Sequence, residues 1–334
     1  KKQMKKIMFL VMMLSLILIG CGDKKEEAKT GTDTANTETK ADDKVYKIGI
    51  TQIVSHQALD KAREGFKDAL EEAGIKAEYD EQNAQGDITI ANTIANKFVT
   101  DKVDLVFAIA TPTAQAVSNA TSDTPILFSA VTDPEAAGLV KPNVTGSSDK
   151  VDIEQQLALL REISKDAKKI GFLYNSSEEN SLVQLEEIKK IAGKYNFEVV
   201  EQGISSANEL PQAIDKMLTQ VDALYLPTDN LISSSSALIA EKANAAKIMT
   251  FAAESGMLEN GIFITKGIDY YQLGKEAGKM AAEILKDGKK PSDLPYKISE
   301  TVEIAVNKQT LEQLGIKLPE DVMSKAKFIE TKAK

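Results

Sequence analysis

The sequence predicts an α/β fold of two lobes, each built on a parallel sheet, and three observations carry that expectation. From residue 46 onward, short β-branched or apolar runs alternate with longer segments of helical period, the pattern of βαβ units. The chain has 334 residues, more than one hydrophobic core comfortably serves. The alternation breaks once, at the Gly-, Pro-, Ser- and Asn-rich stretch 138–150, and resumes at Val151, which marks a crossover between lobes.

In chain order, the first feature is a leader. Lys1, Lys2, Lys5 and Lys6 lie around the start of an apolar run over 7–19, broken only by Ser15. A spanning helix needs roughly 20 apolar residues, so the run reads as an export signal and not as a permanent anchor. Leu18-Ile19-Gly20-Cys21 then resembles the bacterial lipobox, which predicts cleavage before Cys21 and acylation of its thiol by diacylglycerol and palmitate-type chains. Residues 22–44 contain no Leu, Ile, Met, Phe, Tyr or Val, cannot build a core, and read as a tether spanning about 25 Å. Acyl chains on Cys21 would hold the protein at a membrane.

Strands are expected over 46–51, 103–110, 125–130, 169–174, 197–201, 223–226, 248–252 and 261–265. Leu59, Ala62, Phe66, Ala69, Leu70 and Ala73 recur at spacings of three and four, as do Leu182, Leu185, Ile188 and Ile191; both are one-sided helices packed on a sheet. Leu273, Ala277, Met280, Ala281, Ile284 and Leu285 form a third stripe, with Asp269 as its candidate cap. The expected organisation is a leader over 1–20, a tether over 21–44, a first lobe from 45–145 with 262–290, and a second from 146–261 with 291–334.

Composition removes several function classes. A formal charge of −9 argues against nucleic-acid binding. One His, one Cys and no Trp leave little material for a zinc site or a Cys-His nucleophile. Neither GxGxxG after a strand nor GxxxxGK[ST] occurs, so no nucleotide cofactor is expected, nor any other cofactor or metal.

Ligand groups in parallel α/β sheets come from loops at the carboxyl ends of strands. Those loops hold Ser55 and His56; Thr111, Pro112, Thr113 and Ala114; Thr132 and Asp133; Asn175 and Ser176; Asp229 and Asn230; Glu254; and Asp269. All are small or polar, which suits a small zwitterionic solute. Thr111-Pro112-Thr113 is either a well-capped helix start or an anion site made of free amides. Asp133 and Asp229 each stand where a helix N-cap would, and Asp229 is the better candidate for an ammonium partner. His56 lacks a positioned nucleophile, which favours a binding or loop-capping role over catalysis.

Together the lipobox, the tether, Thr111-Pro112-Thr113-Ala114-Gln115, 128–134 (FSAVTDP), Leu226-Pro227-Thr228-Asp229-Asn230 and 267–274 (GIDYYQLG) resemble the ABC-transporter substrate-binding lipoproteins, a family that includes tryptophan-binding members. The resemblance spans about 46–318. It implies a type I periplasmic-binding protein fold, two Rossmann-like lobes joined by a hinge that closes on a solute. It also implies an aromatic amino acid as solute, an ABC permease with its ATPase as partners, a monomer anchored outside the cytoplasm, and no enzyme activity. The family's pocket loops fall on Thr111 to Ala114, Thr132, Asp133, Asn175, Ser176, Asp229, Asn230, Glu254 and Asp269. With no Trp in the chain, ring stacking would fall to Phe or Tyr. A surface-anchored hydrolase using His56 or an Asp133/Asp229 pair in acid-base work, or a sensor or adhesion lipoprotein on the same fold, are the competing expectations.

Overall fold

The computed structural model describes residues 44–300 and 302–332; the expected leader, Cys21 and the tether up to 43 lie outside the described residues. The first lobe opens with β1 (Val45–Gln52), α1 (Gln57–Glu72), β2 (Lys76–Asn83), α2 (Ile88–Thr100), β3 (Leu105–Ile109), α3 (Thr111–Ala120), β4 (Ile126–Ser129) and β5 (Val144–Ser148). The second runs through α4 (Ile153–Ile163), β6 (Lys169–Asn175), α5 (Glu179–Ile191), β7 (Glu198–Ile204), α6 (Leu210–Leu218), β8 (Ala223–Leu226), α7 (Asn230–Ser234), α8 (Ser236–Ala245), β9 (Met249–Ala252) and β10 (Ile264–Ile268). The chain returns to the first lobe for α9 (Tyr270–Asp287) and β11 (Lys297–Ile298). It ends in the second with β12 (Val302–Asn307), α10 (Lys308–Leu314), α11 (Glu320–Lys325) and β13 (Lys327–Ile329).

The first sheet, in the order β11-β5-β4-β3-β1-β2, is parallel throughout. The second, β13-β12-β10-β9-β8-β6-β7, is parallel except where β12 runs against β10. The expected lobe boundaries need correcting here. The expected first lobe includes 264–268, yet β10 pairs with β9 in the second sheet, Ile264 opposite Phe251 and Thr265 opposite Ala252. Conversely β11 adds to the edge of the first sheet against Ser147 and Ser148, and β5 extends that lobe past 145 to Ser148. A buried apolar run such as 262–265 fits the middle of either sheet, and only strand pairing decides.

Stacked rings hold each core. Phe66 of α1 lies on Phe107 of β3, with centroids 3.8 Å apart, and Tyr225 of β8 sits between Phe172 and Phe251, 5.9 Å from each. The Tyr225 hydroxyl donates to Gln156 Oε1 on α4, and Gln156 Nε2 donates to Lys266 O (2.7 Å) and Ala253 O (3.2 Å), so this buried amide has its polar atoms engaged.

The first lobe is completed by α9, which crosses α1 at backbone-to-backbone contact. Gly65 of α1 faces the carbonyl of Tyr271, Gly274 faces the carbonyl of Ala62, and Gly278 faces Phe66 O and the Ala69 methyl. A Cβ at Gly65 or Gly274 would overlap the facing backbone oxygen. Tyr46 OH to Leu285 O (2.6 Å) and Ser147 Oγ to Leu273 O (2.8 Å) tie α9 to β1 and β5.

Candidate functional site

The carboxyl ends of both sheets face each other across a narrow enclosed cavity. Its first-lobe wall comprises His56 and Leu59 of α1 and its approach, Ala130 and Thr132 after β4, and Tyr270 at the head of α9. The opposite wall comprises Asn180 of α5, Thr228, Asp229, Asn230 and Ser233 around α7, and Glu254 after β9. Asp149 lines it from the β5–α4 passage. The strand ends that deliver these loops are bent hard. Ala110 and Ala130, just past β3 and β4, hold φ of +83° and +58°, a region costly to residues with a Cβ.

The lobes are joined by directional hydrogen bonds. Gln184 Nε2 donates to Thr228 Oγ1, which lies 3.1 Å from Thr132 Oγ1, which donates to Asp149 Oδ1 at 2.9 Å. Since the Thr132 proton goes to Asp149, Thr228 is the donor across the gap. Tyr270 OH donates to the other oxygen of Asp149. A second bridge runs from His56 Nε2 to Asn230 Oδ1 at 3.2 Å. Asn230 Nδ2 is committed to Glu178 Oε2 (2.6 Å), so its oxygen must face the imidazole, and His56 carries its proton on Nε2. Behind the far wall, Gly256 brings its Cα against α1, where an added Cβ would stand 2.8 Å from Ala58 N.

The electrostatics are one-sided. Among the described residues that line the cavity there is no lysine or arginine, while Asp149, Asp229 and Glu254 are all buried there. Burial raises the Glu254 carboxyl from 4.5 to about 7, against the lowering effect of its bonds from Gly256 N and Ser233 Oγ. Burial likewise raises Asp149, and burial together with the charge of Glu178 raises Asp229 well above the usual carboxylate range. Burial lowers His56 to about 4, so the imidazole is neutral at pH 7.

Of the residues anticipated from sequence, His56, Thr132, Asp229, Asn230 and Glu254 meet in this cavity. Pro112 and Asn175 line an outer groove between the lobes, shared with Ile53, Ile88, Glu178 and Leu231. Thr111, Thr113 and Ala114 are buried in the first turn of α3; the Thr113 hydroxyl bonds back to Ile109 O at 2.6 Å, while Thr111 Oγ1 has no protein partner. Four others are held by local bonds. Ser55 is exposed and donates to Asp60, Ser176 is exposed against Ile204 O, Asp133 caps the turn at 135–136, and Asp269 caps α9 through Tyr271 N and Gln272 N. Asp229 proves to be both a wall residue and a helix cap: it accepts from Ile232 N (3.0 Å), Asn175 N (2.6 Å) and Ser181 Oγ (2.5 Å).

Sequence reasoning does not single out Asp149, Glu178 or Asn180, and it reaches Tyr270 only as the neighbour of Asp269 in the 267–274 loop. Glu178 accepts from Asn230 N and Nδ2, Asn175 Nδ2 and Asn180 Nδ2, tying the β6–α5 turn to the start of α7. The one available signal was position: Asp149 and Tyr270 both stand where the chain changes lobe.

The ABC transporter substrate binding protein family matches residues 47–329. A tyrosine-binding protein of Clostridioides difficile (strain R20291) is 44% identical over 326 residues, covering 93% of each chain. The ABC domain of a Streptococcus pneumonia protein, solved in complex with L-Trp, is 36% identical with a TM-score of 0.82, over 85% of this chain and 99% of that one. The ligand-free, open structure of a Clostridium difficile substrate binding protein with adhesive properties is 46% identical, yet its TM-score is 0.65, over 86% of this chain and all of that one. Two parallel-rich sheets exchanging their C-terminal elements make a type I periplasmic-binding fold. With the family match spanning nearly all of the described residues, the chain belongs to the ABC transporter substrate-binding proteins.

Proposed function

We propose that the protein is an extracytoplasmic receptor that closes on an aromatic α-amino acid, such as tryptophan, phenylalanine or tyrosine, and hands it to an ABC permease with its ATPase, while acylated Cys21 keeps it at the membrane. The observation that carries the reading is an interlobe cavity with three buried carboxylates and no basic residue in its lining, which at about 10 Å³ is collapsed and has to widen to admit a solute. Buried carboxylates need a positive partner, and an ammonium is the one an amino acid brings. Tyr270, His56 and Leu59 offer ring and apolar contact. The relatives add support: one is named for tyrosine, another was solved with L-Trp. The higher sequence identity but lower structural overlap with the open, ligand-free relative supports a difference in lobe closure. Calorimetric titration with tyrosine, tryptophan, phenylalanine and leucine tests the reading, alongside mass spectrometry of co-purified solute. Tight binding of the aromatic members, with leucine at least about tenfold weaker, is the expected result. No heat with any of the four would sink it.

Closure yields two further expectations. Gly256→Ala places a methyl 2.8 Å from Ala58 N across the lobes and 2.9 Å from Glu254 Oε2 in its own lobe, so affinity should fall about five- to a hundredfold. Unaltered affinity would show that the two backbones do not meet in the bound state.

The second concerns pH. Burial in the cavity raises the carboxyl of Glu254 to about 7 and also raises Asp149, and parting the lobes would rehydrate both, so the closed form holds more protons than an open, hydrated one. His56 acts oppositely, but only between about 4 and 6.5, where its lowered pKa and its ordinary value lie. Above that window the carboxyls alone titrate, and raising pH from about 6.5 to 8 should open the ligand-free protein. Small-angle scattering should record a radius of gyration that grows over this range and stays constant with amino acid bound. A flat profile without ligand would contradict it.

A further inference from the structure

Asn180 lies in the first turn of α5, is 4% exposed and lines the cavity. Its Nδ2 donates to Thr228 O at 2.7 Å and to Glu178 Oε2 at 3.0 Å. Both partners can only accept, so the amide cannot be turned around, and Oδ1 is fixed as the free end. No protein donor reaches that oxygen.

Each of the surrounding acceptors already holds protein donors. Asp229 receives Ile232 N, Asn175 N and Ser181 Oγ. Glu178 receives Asn175, Asn180 and Asn230, and Thr228 O receives Asn180. The acidic corner therefore supplies negative charge and a few spare lone pairs on carboxylates already held by protein donors, whereas Asn180 Oδ1 is the acceptor there that no protein donor reaches. An ammonium brings three N–H donors and needs acceptors with free lone pairs as well as a favourable field.

We propose that Asn180 Oδ1 accepts a hydrogen bond from the α-ammonium of the bound amino acid, with Asp229 and Glu178 providing the charge around it. This rests on the amino acid reading given above. Nothing in the argument involves the ring, so Asn180 should set affinity for the amino acid backbone and leave discrimination between side chains untouched.

The test compares phenylalanine with 3-phenylpropionate, its analogue without the ammonium, in competition titrations on the wild type and on Asn180→Leu. Wild-type binding of phenylalanine, tyrosine or tryptophan is measured first, and its failure would count against the receptor reading and not against Asn180. Given that binding, Asn180→Leu should weaken phenylalanine about ten- to a hundredfold and 3-phenylpropionate by less than about threefold. Tyrosine and tryptophan should weaken in step with phenylalanine. An equal loss for both compounds would mean that the substitution merely damages the wall, and a loss confined to tyrosine or tryptophan would mean that the oxygen serves a ring donor; either overturns the proposal. If Asn180→Leu does not melt cooperatively, Asn180→Ala is carried through the same titrations with the same criteria.

Discussion

Asp229→Ala is expected to cost about 3–5 kcal/mol of stability and to abolish measurable binding at ordinary ligand concentrations. The sequence left two exclusive roles for this residue, ligand partner or helix cap, but its geometry makes them one. Alanine strands Ile232 N, Asn175 N and Ser181 Oγ, three donors in a buried corner, at about 1–3 kcal/mol each, less what the serine recovers by turning its hydroxyl. The loss also frees the start of α7 from the β6–α5 loop, so the cavity wall itself loosens. Asp229→Asn is the informative comparison. On a cap alone, asparagine replaces aspartate at almost no cost. Here its Nδ2 would confront the Asn175 N–H, donor against donor, so about half of the alanine penalty should remain. Affinity for an amino acid should still fall by more than tenfold, because the corner has lost its charge. Melting curves with parallel calorimetry read both effects. A wild-type melt for Asp229→Ala would dismantle the network, and full affinity in Asp229→Asn would release Asp229 from the site and turn attention to Glu254 and Asp149.

Gly274→Ala should be the most damaging single methyl in the first lobe. In an exposed helix the change from glycine to alanine stabilises by about 1 kcal/mol. At Gly274 the new carbon overlaps the Ala62 carbonyl, a backbone atom that cannot swing aside, so α9 must lift off α1 and loosen the packing that includes Phe66 and Phe107. Overpacking of this kind costs about 1–3 kcal/mol per inserted group, more where backbone must move, and a loss of about 3 kcal/mol is expected. Gly193→Ala is the control, since nothing lies within 4 Å of its added Cβ and its backbone angles are ordinary. It should leave stability within about 0.5 kcal/mol of wild type. Comparable melting temperatures for the two variants would mean that the helices can part cheaply.

What the sequence disclosed follows from how much side-chain burial each element needs. Strands β1, β3, β4 and β8 are buried on both faces and show themselves as apolar runs. Strand β2 was missed because it is an edge, paired only with β1, and Lys76–Asn83 is mostly polar and half-exposed. Strand β5 was missed for the opposite reason. Val144–Ser148 is fully buried, but with small hydroxyls that bond to α9 and β4, so it looked like a crossover loop. The site divides in the same manner. Asp229, Asn230 and Glu254 follow recognisable strands and could be anticipated. Asp149 and Tyr270 depend on the chain returning at α9, and Glu178 and Asn180 depend on which loops converge, both matters of tertiary geometry. The glycines at 274 and 278 stood within the apolar stripe of α9, where four-residue spacing of small residues was the overlooked sign of close helix contact.

The exchange of elements between lobes also governs the order in which the molecule can be built. The first lobe takes its covering helix α9 from residues 270–287, and the second sheet takes β12 and β13 from the last residues described. Wherever the chain folds, β1 to β5 have one uncovered flank until α9 is in place. Folding to completion must wait for nearly the whole polypeptide, and such long sequence separations slow the search for native contacts. Removing the chain from α9 onward would therefore strip the N-terminal lobe of its cover as surely as it removes the end of the other.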